Sequence, residues 1–132
     1  MRYIATLLTL ALVLAGEAQA GTSHIAQGLF CNTRNQIADT FRNLGNGLSM
    51  SQAVAIANAE KVVCVWADRI GYMVTAPASA EGIVHDGTWL NVYEALVVGV
   101  LVGGNPRPVD PPVRIYFVPR EKLPSSVLTK GS

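Results

Sequence analysis

Hydrophobic positions along this 132-residue chain change their rhythm twice. From Tyr3 to Ala15 they form an unbroken run without a charge. From about residue 33 to 59 they recur at helical spacing, and from Val62 to Val118 they alternate or cluster as strands do. The first run follows Met1-Arg2, is broken by Gly16-Glu17, and leads to Ala18-Gln19-Ala20, whose small residues suit a peptidase pocket. Residues 1–20 are therefore predicted to be a secretory signal peptide cut after Ala20. A membrane anchor would need about 20 apolar residues, more than the run supplies. No cysteine stands at the cut, so a lipid-anchored form is not expected. The strongest later apolar stretch, Ala95 to Val102, is short and contains Gly99, so no transmembrane segment is expected after cleavage.

Gly21 to Gly28 is small and polar, and residues 21–30 are read as a loose leader. Thr33-Arg34-Asn35-Gln36 is a capping box, in which a hydroxyl and a Gln side chain satisfy each other's free backbone amides. Ile37, Ala38, Phe41 and Leu44 then share a helical face, and Gly45-Asn46-Gly47 ends the helix. Ser49-Met50-Ser51-Gln52 is a second box, opening a shorter helix to about Ala59 with Met50, Ala53, Val54 and Ala57 on one face. Two capped helices separated by glycines predict a helical hairpin.

Strands are predicted at Val62 to Ala67 and Ile70 to Thr75. Asp86-Gly87, between Ile83-Val84-His85 and Thr88-Trp89-Leu90, is the strongest hairpin signal, because a type I′ turn needs positive φ at both central residues. A long strand is expected from Leu90 to Val100, with Leu90, Val92, Leu96 and Val98 on one face and Trp89, Tyr93, Ala95 and Val97 on the other. Residues 103–112, with four prolines, are expected to be a loop, and Val113 to Val118 a last strand. The expected fold is α+β: an N-terminal helical hairpin packed on an antiparallel sheet of about four strands. One domain over residues 31–119 and a frayed tail over 120–132 complete it.

Removing the signal leaves about 110 residues, one domain's worth. Net charge is +1 with no block of like sign, and cleavage leaves that balance unchanged. Nucleic acid is not expected as a partner, since its electrostatic footprint is a basic stripe. The two cysteines, Cys31 and Cys64, are read as a bridge, which is usual for an exported domain; two buried free thiols are the alternative. A loop of about 32 residues closed in this way contributes on the order of 3–4 kcal/mol.

Chemistry-bearing residues are sparse. His24 falls in the leader and His85 at the hairpin corner beside Asp86, where turn chemistry alone explains the pair. No catalytic or metal site and no cofactor are expected. Glu94 sits in phase with Leu90, Val92 and Leu96; on an apolar face its carboxylate needs a partner such as Arg69 or Arg114, unless the strand bulges there and turns it outward. Trp66, Trp89, Tyr93 and Tyr116 are the aromatic candidates for contact, either as an outer platform or as core beneath the helices. The proline-rich segment around Arg107 is either a recognition segment or a stiff connector.

At Cys31-Asn32-Thr33-Arg34-Asn35-Gln36, then Asn58-Ala59-Glu60 before Cys64, then Val97-Val98-Gly99-Val100, the chain resembles a group of small exported proteobacterial proteins of unknown function with one Cys pair. The resemblance implies bacterial export and the Cys pairing, and no site residue. The expected product is a periplasmic or secreted binding module, its partner an unknown protein or envelope component. The alternatives are a small hydrolase-type enzyme using Glu94 and a structural envelope component.

Overall fold

The structure, a computed structural model, describes residues 23–130, and the expected signal segment lies outside the described residues. Seven strands and three helices run in the order β1 (His24–Cys31), α1 (Arg34–Gly45), α2 (Met50–Ala57), β2 (Cys64–Val74), β3 (Ala78–Ser79), β4 (Ile83–His85), β5 (Thr88–Leu90), β6 (Tyr93–Val102), β7 (Asn105–Pro119) and α3 (Ser125–Lys130). A 3₁₀ turn, Arg120–Lys122, joins β7 to α3. Strands β1, β2, β6 and β7 close on themselves: β1 pairs antiparallel with β2 and β7, and β6 pairs antiparallel with both β7 and β2. β3 extends β6, and β4 with β5 forms a separate two-stranded hairpin. Asp86 and Gly87 at its tip have φ of 50° and 75°, the positive values that a type I′ turn requires.

Closing so few strands demands sharp bends, and Gly28 provides one. Its φ is 148°, and a Cβ there would lie 2.1 Å from the Val118 carbonyl oxygen. Only glycine lets β1 approach β7 this closely. The β1–β2 register breaks at the same place, where Ala26 faces Tyr72 but Gly28 faces Ala67. The displaced β2 segment is tied down by Gln27 Nε2, which donates to the Asp68 carbonyl at 3.1 Å, and by an Arg120–Asp68 ion pair at 3.0 Å.

Because strand side chains alternate, the wall has two apolar faces. The inner face holds Phe30, Ala67, Val74, Ala95, Val97 and Phe117. Phe30 stacks on Phe117 at 4.9 Å and tilts against Tyr72 at 4.7 Å, and Tyr93 meets Phe117 at 5.9 Å. The outer face presents Leu29, Cys31 and Val118 to Ile37, Phe41 and Leu44 of α1 and to Met50 and Ala53 of α2. Both predicted capping boxes are formed, by Thr33 with Gln36 and by Ser49 with Gln52. Cys31 and Cys64 are register partners on β1 and β2 and form a disulfide, with Cα atoms 4.0 Å apart.

The expected fold class is overturned. The helices do not begin the domain: they connect β1 to β2, and the molecule is mostly sheet, with five strands in one sheet and two in another. The supposed leader is β1, a strand paired on both sides and buried on both faces at Leu29, Phe30 and Cys31. The segments expected at 62–67 and 70–75 are one strand, β2. The long strand expected from Leu90 is broken at Asn91–Val92, where the hairpin hands over to β6. Residues 105–112 are strand rather than loop. Residues 105–108 pair with β6 alone, because β1 covers β7 only from Tyr116 to Pro119, and residues 109–112, with the other two prolines, fall in the register shift between Val97 and Gly99. Pro106 and Pro108, two residues apart, place their missing N–H groups on one side of the strand. Asn105 and Arg107 are left to serve β6, and the prolines stay on an open edge. After Pro119, the expected frayed tail is a 3₁₀ turn and a helix that bury Leu123 and Val127 against the outer core.

Candidate functional site

α1 and the β4–β5 hairpin do not meet along their whole length. His85, 6% exposed, sets its ring edge-on to Phe41 at 5.2 Å and joins the two elements. Beyond this contact they diverge around a cleft of about 620 Å³, lined by Arg34, Phe41 and Arg42 on one side and Glu81, Asp86 and Trp89 on the other. Pleating explains the arrangement: Ile83, His85 and Leu90 are buried, whereas Val84 and its register partner Trp89 are 66% and 58% exposed.

Trp89 is held although it is exposed. A Cβ on Gly82 would lie 2.4 Å from its Cζ2, so the indole rests directly against the glycine backbone. Its Nε1 donates to Asn91 Oδ1 at 2.9 Å. The strip beneath is pinned from α1, because Arg34 Nε donates to the Glu81 carbonyl and Nη2 to the Gly82 carbonyl, each at 2.7 Å. Arg34 thus fixes the backbone on which the indole lies.

Every basic group lining the cleft has an acidic neighbour. Arg34 lies 3.6 Å from Glu81, Arg42 lies 2.8 Å from Asp39, and His85 Nε2 lies 3.4 Å from Asp86 Oδ2. Among the described residues no group of His, Cys, Asp and Glu could hold a metal ion, and no helix is long and apolar enough to cross a membrane.

The six residues singled out from sequence do not converge. Tyr93 faces the barrel interior, and Trp66 and Tyr116 pack against the helix-side core. Arg107 is exposed on β7. Glu94 lies on the outer wall, ion-paired with Arg114, and takes no part in the cleft. Its strand points Ala95 and Val97 inward, so the buried parity is opposite to the one that contains Glu94. Trp89 alone reaches the cleft. Arg34 was hidden inside its capping box, and His85-Asp86 inside its turn; no local signal marks either as part of a site. No protein-family model matches this chain, and no curated protein or solved structure matches it.

Proposed function

We propose that the chain is an exported, disulfide-stapled binding module whose recognition surface is the cleft between α1 and the β4–β5 hairpin. The observation that carries this reading is Trp89: a large aromatic left 58% exposed, yet fixed by Gly82 and Asn91 at the rim of a cleft. An indole held in this way offers contact area with little ordering entropy left to lose on binding. A buried disulfide fits an oxidising compartment, as does the predicted signal segment. The surroundings of Glu94, an ion pair on the outer wall, lend the hydrolase alternative no support.

The test is retention of envelope components on the oxidised, immobilised domain lacking residues 1–20. A component held by the native domain and released by Trp89→Ala is the expected result. Equal retention by the two proteins, or none by either, removes the reading.

A further inference from the structure

We infer that the ligand of this cleft is a neutral saccharide; the inference rests on the binding-module reading and names its ligand class. Three observations converge on it. First, Trp89 presents a fixed, exposed aromatic surface. The face of an aromatic ring is electronegative, and one face of a pyranose is a set of C–H bonds with partial positive charge, so the two stack.

Second, the charges of the cleft are internally compensated. Its two guanidiniums, Arg34 and Arg42, are matched by Glu81 and Asp39, and the Asp86 carboxylate lies 3.4 Å from the His85 ring nitrogen. A phosphate or carboxylate ligand would compete with a carboxylate for each guanidinium, and an organic cation would compete with a guanidinium for Glu81 and Asp39. A neutral polyol displaces neither partner. Its hydroxyls donate to carboxylate oxygens and accept from guanidinium N–H groups, both of which the Arg34–Glu81 and Arg42–Asp39 pairs present.

Third, the volume of about 620 Å³ lies within the range of small-molecule sites and leaves room for more than one sugar ring. The barrel-mouth cavity bordered by Val62, Val113 and Ile115 is the counterexample, being smaller, at about 200 Å³, and lined almost wholly by apolar side chains.

The experiment is a ¹H–¹⁵N titration of the oxidised domain, following the Trp89 indole Nε1–H, with that resonance assigned through Trp66→Phe. The probes are trisaccharides of glucose, galactose, mannose and N-acetylglucosamine, with choline and inorganic phosphate as charged comparators. At least one trisaccharide shifts the Trp89 indole and the amides of residues 81–86, with Kd of about 1 mM or below. Trp89→Ala weakens that binding about tenfold or more, Trp89→Phe restores part of it, and Trp66→Phe leaves it unchanged. Absence of a shift with every trisaccharide overturns the ligand class, as does a shift confined to choline or phosphate. In either case an envelope component still retained through Trp89 leaves the cleft reading standing; loss of that retention as well ends both.

Discussion

The closed barrel and the cleft beside it solve opposite problems with neighbouring residues. Within the barrel every side chain has company: Phe30, Tyr72, Phe117 and Tyr93 form a contiguous aromatic series, and Gly28 removes even a Cβ so that two strands can touch. At the cleft, hydrogen bonds and ion pairs join the Phe41–His85 ring contact, and the largest side chain is left mostly in solvent. The barrel's residues are thus accounted for by packing, whereas the exposure of Trp89 is not. Substitutions in the barrel should therefore cost stability, and those in the cleft should cost binding.

The largest stability effect is expected at Gly28. Alanine there must tolerate a φ of 148° and place a methyl 2.1 Å from a carbonyl oxygen on β7 and 2.9 Å from the Arg120 nitrogen. Both neighbours are backbone and cannot swing aside. Gly28→Ala should lose on the order of 4 kcal/mol, at the upper end for a single substitution. Urea denaturation of the oxidised domain reads this directly. A loss below about 1 kcal/mol would mean that the strands need not close at this point.

Next comes the bridge. Cys31 and Cys64 are separated by 33 positions and join β1 to β2 on the helix-covered face. Replacing both by alanine should lower stability by about 3–4 kcal/mol through the unfolded chain's regained freedom. In intact mass, the native domain should be lighter by two hydrogen atoms, a difference that disappears on reduction. The barrel interior, whose aromatic contacts do not include the bridge, should keep its near-ultraviolet signal in the folded fraction.

Asn58 is a smaller case with a local cause. Its Nδ2 donates to the Cys64 carbonyl at 2.8 Å, and its Oδ1 accepts from the amides of Val63 and Cys64 at 2.8 and 2.9 Å. The residue caps the end of α2 through its backbone N–H, while its side chain starts β2. Asn58→Ala should cost about 2 kcal/mol, because part-buried amides lose their acceptor, and it should speed hydrogen exchange at Val63 and Cys64.

These positions also show how far the sequence was legible. Local signals were sound: both capping boxes and the Asp86-Gly87 turn depend on a few adjacent residues, and all three form. Closure was not legible, because it pairs segments far apart in the chain, such as β1 with β7. Closure also makes both wall faces apolar, so alternation ceases to mark an inside. Leu29 and Phe30 are adjacent and equally buried, yet they serve different cores. The same ambiguity placed Glu94 on the wrong parity. The prolines misled for a related reason: they bar a strand from two-sided pairing, and only the tertiary structure shows that β7 is one-sided there. Of the cleft, only Trp89 was legible as a contact residue: His85 and Asp86 read as a turn, and Arg34 and Glu81 meet across 47 positions.

Tyr72 offers a fine probe of the barrel. Burial pushes its hydroxyl above the usual value of 10.0. The neutral form is favoured in the folded state, so its contribution is complete below pH 10 and is lost as pH rises through the folded value. Stability should fall above about pH 10, and Tyr72→Phe should flatten that part of the profile. An unchanged slope in the variant would show that the hydroxyl is not desolvated.

The smallest stability effect is expected at Trp89. Its indole is 58% exposed, and its polar contact is to Asn91, two residues away. Trp89→Ala should shift stability by no more than about 0.5 kcal/mol, as for other surface substitutions. The same change should abolish retention of the envelope component, while Gly28→Ala, in whatever fraction stays folded, should retain it. If Trp89→Ala instead destabilises by about 2 kcal/mol or more, the indole is a packing element of the hairpin. Its exposure would then say nothing about a ligand, and the contrast between barrel and cleft would collapse into a difference of degree.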